Sequence, residues 1–207
     1  QERKPIAAEI IKKTSRMINV ISMNQPWAIQ TRNNMMKSIL QRPSIQKKVM
    51  KNLSQLTHDY TGTAYSKHIL KLTGRPAGVR VPPCGMVTAT WENINVYELL
   101  RSGECLFLVY GNEHFFREKQ RVLQKAMETF NKKCGNILRP VFLLNNESRD
   151  KLDGSENVFI DLYDEAKERL NLQLYDVLVI RPDAHTLFHT SIRNVEAVKK
   201  ALNYYFK

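Results

Sequence analysis

Residues 175–190 read YDVLVIRPDAHTLFHT. Val177, Leu178, Val179 and Ile180 form an unbroken apolar run, the pattern of a strand buried on both faces rather than on one. Pro182 presets a turn's φ and removes a ladder donor, so the run stops there and a hairpin is expected. Thr186, Leu187 and Phe188 return as its second strand. Asn194 is placed to cap a closing helix in which Val195, Val198, Ala201, Leu202, Tyr205 and Phe206 recur at helical spacing.

Upstream of this stretch the pattern alternates. Leu106–Tyr110 is a continuous apolar run. Residues 115–131 read as a helix with Val122, Leu123, Ala126, Met127 and Phe130 inward, and Val141–Leu144 is a second buried run. Strand, helix, strand implies a parallel pair joined by a right-handed crossover. After the polar loop 145–157 come a short strand at Val158–Ile160 and a helix near Tyr163–Leu170. The expected fold class is α/β, a mixed sheet with helices on both faces and thioredoxin-like connectivity.

The first sixty residues differ in kind. Ile6, Ile10, Met17, Ile18 and Ile21 share one helical stripe with Lys12, Lys13 and Arg16 largely off it. Met35, Met36, Ile39 and Leu40 suggest a short second helix. After Pro43, Ser44 is placed to cap a third, with Ile45, Val49, Leu53 and Leu56 on one side and Lys47, Lys48 and Lys51 on another. Stripes this short need covering by something else. From Thr57 to Pro83 periodicity is lost among Gly62, Gly74, Pro76, Gly78, Pro82 and Pro83, as in a linker or a strap along a surface. Residues 1–80 carry 15 Lys or Arg against three acids, while the remainder is balanced at 17 of each, so the whole net charge of +12 lies in the first part. That asymmetry fits nucleic acid, an anionic membrane surface or an acidic protein partner. The expected organisation is basic amphipathic helices over 1–57, an extended strap over 58–83 and an α/β domain over 84–207.

No stretch approaches the roughly 18 apolar residues of a membrane span, and the first residues lack a signal-peptide pattern, so a cytoplasmic address is expected. The chain opens with Gln1 rather than Met and reads as a piece of something longer. Cys84, Cys105 and Cys134 form no CxxC, and no histidine stands at metal-ligand spacing to them. Cys105 reads as a small core hydrophobe, and Cys134 follows two lysines that could lower its pKa. His185 and His189, four apart on a strand, lie about 13 Å apart and read as surface or satisfied core histidines rather than metal ligands. Asp161, Asp164 and Glu165 gather where a helix begins, which suits its dipole. A thiol oxidoreductase needs a cysteine after the first strand, where this chain has Gly111-Asn112-Glu113-His114.

Four places along the chain resemble the carboxyl-terminal portion of the FAD-dependent aromatic-ring hydroxylases, flavoprotein monooxygenases related to phenol hydroxylase. Glu2-Arg3-Lys4-Pro5-Ile6-Ala7 is similar to the family's ERRPVA, and Ala77-Gly78-Val79-Arg80-Val81-Pro82 to its AGxRxP strap. Asn95–Leu100 with Gly103 and Leu106–Gly111 is similar to the start of its thioredoxin-like domain. Asp161, Leu170 and Leu172 before Val179-Ile180-Arg181-Pro182-Asp183 are similar to its closing D…G…VRPD. The resemblance singles out Arg3, Pro5, Gly78, Arg80, Pro82, Arg181, Pro182 and Asp183 for structural or interdomain roles. Ala184, Phe188 and His189 depart from the family's Gly, Trp and Arg, so no role carries over to them.

By this resemblance the parent protein hydroxylates an aromatic or related small molecule with FAD, NAD(P)H and O2. The family's FAD site rests on a Rossmann-type glycine fingerprint, and no GxGxxG occurs here. FAD and NAD(P)H would therefore belong to the parent. This chain is expected to supply no catalytic, cofactor-binding or metal residue and to pack on its own upstream FAD-binding domain, with a homodimer compatible. The alternative is a basic nucleic-acid-binding or protein-interaction module using Trp27, Tyr60 or Tyr65 as stacking groups. It is disfavoured because these aromatics do not interleave with the lysines on one face.

Overall fold

A computed structural model of the chain describes residues 3–53, 60, 74–148 and 157–206. The apolar runs form strands: β1 Gly85–Thr88, β2 Asn93–Asn95, β3 Cys105–Gly111, β4 Leu138–Leu144, β5 Val158–Ile160, β6 Asp176–Ile180 and β7 Thr186–Ser191. They make one mixed sheet in the order β2-β1-β5-β4-β3-β6-β7. β3, β4 and β5 run parallel, and β6 and β7 close the sheet as an antiparallel hairpin. This is the thioredoxin-like arrangement expected from the order of elements.

The period-2 rule divides each central strand between two cores. Leu106, Leu108 and Tyr110 of β3, with Leu178 and Ile180 of β6, face one core. Phe107 and Val109, with Val177 and Val179, face the other. The first core is closed by α4 (Val96–Leu99) through Val96 and Leu99, and by α6 (Glu165–Leu170) through Ala166 and Leu170. The second is closed by α5 (Glu113–Cys134) through Phe116 and Met127, and by α7 (Val195–Tyr205) through Val198, Ala201 and Leu202. All four residues of the run Val177–Ile180 are fully buried. Each such side chain contributes about 1.5–3 kcal/mol relative to an exposed one, which explains why the run is apolar at every position.

Local capping agrees with the pattern. Asn112 accepts a hydrogen bond from the Phe115 N–H at the start of α5, and Asn194 accepts one from the Ala197 N–H at the start of α7. At α4 the Asn95 side chain accepts from the Tyr97 N–H while Glu98 reaches back to the Asn95 N–H. Three apolar positions expected to point inward do not. Val122, Ala126 and Val195 are exposed, because α5 and α7 splay above the sheet and leave these side chains on the lips of a groove. The β1–β2 hairpin was not foreseen. Its strands are only four and three residues long, too short to establish a period.

The chain divides into two compact units, Gln1–His58 and Asp59–Lys207. In the first, α1 (Arg3–Ile21), α2 (Pro26–Leu40) and α3 (Pro43–Leu53) follow one another. α2 is longer than its Met35–Leu40 stripe implied, because Pro26 starts it while Gln30, Asn33 and Asn34 hide its period. Pro43 likewise opens α3, so Ser44 lies inside the helix and the Arg42 carbonyl accepts its first bonds. Ile11, Met17, Ile18, Ile21, Trp27 and Met35 are exposed. Leu56, Gly62, Tyr65 and most of the strap lie outside the described residues. No helix among the described residues is long and apolar enough to cross a membrane.

Candidate functional site

The last part of the strap is built onto the sheet. Pro76–Val79 form a turn in which Gly78 takes φ +82°, a conformation that an L side chain resists. Gly78 N–H donates to Thr186 O (2.8 Å), Thr186 N–H to Val79 O (2.9 Å) and Val81 N–H to Ala184 O (2.8 Å), so residues 78–81 pair with the beginning of β7. Arg75 extends the attachment, its guanidinium donating to the carbonyls of Arg169 and Arg80 at 2.9 Å. Arg169 in turn donates to Pro83 O at 2.6 Å. Tyr97 OH donates to Val81 O at 2.6 Å, tying α4 to the same segment.

Beneath the strap lies a buried polar chain. Arg75 N–H donates to His189 Nδ1 (2.8 Å), which fixes the ring proton on Nε2, and that nitrogen donates to Asp176 Oδ2 (2.9 Å). The same carboxylate oxygen accepts from Gln173 N–H at 2.8 Å. Gly74 has no alternative here: a Cβ on it would overlap the His189 ring. His189 thus joins strap to hairpin.

The Arg181–Ala184 turn forms the neighbouring corner. Ala184 N–H donates to Arg181 O (2.9 Å), with Ala184 held at φ +63°. The position tolerates Ala at the cost of left-handed backbone strain, which a glycine would not incur. Arg181 pairs with Asp183 at 2.8 Å, and His185 Nδ1 lies 2.9 Å from Asp183 O. Burial raises the pKa of Asp183, but the His185 imidazole, whose Nδ1 also lies 3.3 Å from Asp183 Oδ1, and the Arg181 charge outweigh it and hold the carboxyl below its ordinary value of 3.8. Tyr60 packs edge-on against His185, with ring centroids 4.6 Å apart, and under the Arg181 guanidinium. Both histidines are buried, so they are core histidines engaged by hydrogen bonds.

These groups are engaged in contacts that hold the strap and the hairpin. His185, His189, Asp176 and Asp183 are committed to one another, to Arg181 or to backbone, and none of them lines the groove between α5 and α7 or the pocket of α2 and α3. Asp161 accepts from the Ala166 and Lys167 N–H groups at the start of α6, yet burial holds its carboxyl above 3.8 despite both bonds. Burial pushes the Cys84 thiol up to about 12 and the Cys105 thiol up to about 11, the reverse of an activated nucleophile. No cluster of three or more metal-ligating side chains occurs among the described residues. The β3–α5 turn, where a dinucleotide pyrophosphate would rest, is capped by Asn112, carries Glu113 in the first helical turn, and has its Gly111 space filled by Phe115.

No protein-family model matches the chain, and no curated protein matches it. Solved structures do. OxyS, the anhydrotetracycline hydroxylase from Streptomyces rimosus, is similar over 99% of this chain and 34% of its own at 19% identity, TM-score 0.58. The flavin-dependent monooxygenase PieE, solved with FAD and substrate, matches over 93% of this chain and 32% of its own at 12% identity, TM-score 0.51. The thioredoxin domain of a thiol-disulfide oxidoreductase from Bacteroides vulgatus covers 62% of this chain and 99% of its own at 12% identity, TM-score 0.46. At such identities, the likeness to the two monooxygenases shows the fold. The chain spans about a third of the length of each.

Among the residues singled out from the sequence, Gly78, Arg80 and Pro82 lie on the strap, and Arg181, Pro182 and Asp183 lie on the turn beside it. Arg80 bridges His185 in the ladder and holds its guanidinium over the Tyr97 ring, 5.8 Å from the centroid. Arg3 and Pro5 lie in α1, in the other unit. The links made by Gly74, Arg75, Asp176 and His189 were missed. Their signal is a pairing between residues 114 positions apart, which no local window contains.

Proposed function

We propose that this chain is the carboxyl-terminal structural portion of an FAD-dependent monooxygenase that hydroxylates an aromatic or related small molecule using NAD(P)H and O2. On this proposal its described residues hold no reactive centre. The observation that carries this reading is the strap woven onto β7 beside the Arg181-Pro182-Asp183 turn, a polar assembly whose acids and histidines are all used to hold backbone. The resemblance in four motifs and the likeness of fold to two much longer flavin monooxygenases support it. FAD and NAD(P)H would be held by the parent, since the β3–α5 turn of this chain is unsuited to a dinucleotide. The basic helices of the first unit, with exposed Ile and Met beside Lys12, Lys13 and Arg16, would dock on acidic and apolar surface of the flavin domain.

Titration of the chain onto the separately expressed flavin domain encoded ahead of it tests the proposal. Saturable binding that weakens from about 0.01 to 1 M salt is expected. Absence of binding, or an upstream coding sequence without a dinucleotide fingerprint, would overturn it. A parallel titration with single- and double-stranded DNA decides the nucleic-acid alternative, for which micromolar affinity with a steep salt slope is required. Tyr60 is already engaged by His185 and Arg181, which leaves Trp27 as the exposed stacking group among the described residues considered.

A further inference from the structure

We propose that the groove between α5 and α7 is a docking site for an acidic amphipathic helix of a partner protein. The groove encloses about 1110 Å³ above the sheet. Its floor is apolar, built by Leu123, Met127 and Phe130 from α5 and by Val198 and Leu202 from α7. One end is closed by Phe130 against Phe206, with ring centroids 5.8 Å apart. The rim carries Lys119, Arg193 and Lys199, with no acidic residue among the described lining residues, although Glu118 and Glu196 stand just outside it beside the two lysines.

Two observations select the occupant. Val122, 65% exposed, and Val195, 52% exposed, stand on opposite lips at positions where helical periodicity calls for burial. A small ligand on the floor would leave both lips in water, whereas a helix lying along the groove covers floor and lips together. The rim then sets the sign of its charge. Lys119 pairs with Glu118 and Lys199 with Glu196 (3.4 Å), exposed pairs that are worth little and exchange readily for a partner's carboxylates. Arg193 is already fixed over the Tyr175 ring at 4.3 Å.

The test uses the full chain and a labelled synthetic helix with Leu at i, i+3, i+4 and i+7 spacing flanked by Glu, with a Lys-flanked counterpart as control. The acidic peptide is expected to saturate and to slow amide exchange in α5 and α7. The combined change Lys119→Glu, Arg193→Glu and Lys199→Glu should weaken it at least tenfold and remove its salt dependence. Val122→Asp with Val195→Asp should do the same with an unchanged Tm, since both side chains are exposed. Equal binding of the Lys peptide, no binding of the acidic one at millimolar concentration, indifference to the rim changes, or protection confined to the basic helices would overturn the proposal. So would a dimer of the chain alone that Val122→Asp dissolves, because the groove would then belong to a second copy.

Discussion

Replacing His189 by Leu tests how the strap is held. The ring is fully buried and serves two partners, Arg75 N–H at 2.8 Å and Asp176 at 2.9 Å. Leucine leaves the Arg75 N–H without its acceptor and the Asp176 carboxylate with only the Gln173 N–H among these bonds. A buried polar group deprived of its partner costs about 1–3 kcal/mol, and two are created, so a net loss of about 3 kcal/mol is expected after the added apolar burial. At about 1.4 kcal/mol per decade, exchange of the Arg75 amide should quicken about a hundredfold. Asp176→Leu should cost a similar amount by stranding the His189 and Gln173 N–H groups. The double variant should cost less than the sum by about 2 kcal/mol, because each change removes the group that the other strands. Urea unfolding of the full chain, with amide exchange followed in β6, β7 and the strap, measures all four corners of the cycle. A His189→Leu loss below about 1 kcal/mol, or simple additivity, would refute the argument.

Further outcomes follow from the same geometry. Gly78→Ala should cost about 1–2 kcal/mol through its φ of +82° alone, and Gly74→Ala should cost more because its Cβ meets the His189 ring; urea midpoints in the reverse order would contradict this. Asp183, whose folded pKa lies below 3.8, contributes stability present above 3.8 and lost as the pH falls through the lowered value, so the deficit of Asp183→Asn should shrink toward acid. Asp161 has the opposite sign. Its folded pKa lies above 3.8, so its contribution is present below 3.8 and fades as the pH rises through the raised value, and Asp161→Asn should gain on the parent over that window; a flat difference in either pH series would contradict the assignment. Cys84, buried and pushed up to about 12, should resist iodoacetamide at pH 8 until the unit unfolds, and rapid labelling of the folded chain would contradict it.

What the sequence settled by itself is what repeats at short range. The run Val177–Ile180 announced a strand buried on both faces, and β6 divides those residues between two cores. Asn194 announced a cap, and it accepts the Ala197 N–H. Apolar period and capping act within a few residues, so a local window contains their cause. Tertiary structure decided the rest. That Val122 and Val195 stay in water depends on how far two helices separated by the β4–β7 segment stand apart on the sheet. That Gly74 must lack a side chain depends on a histidine on β7, brought there only when the hairpin closes and the strap pairs with it. Those constraints come from contacts across distant segments, which exist only once the sheet has brought them together.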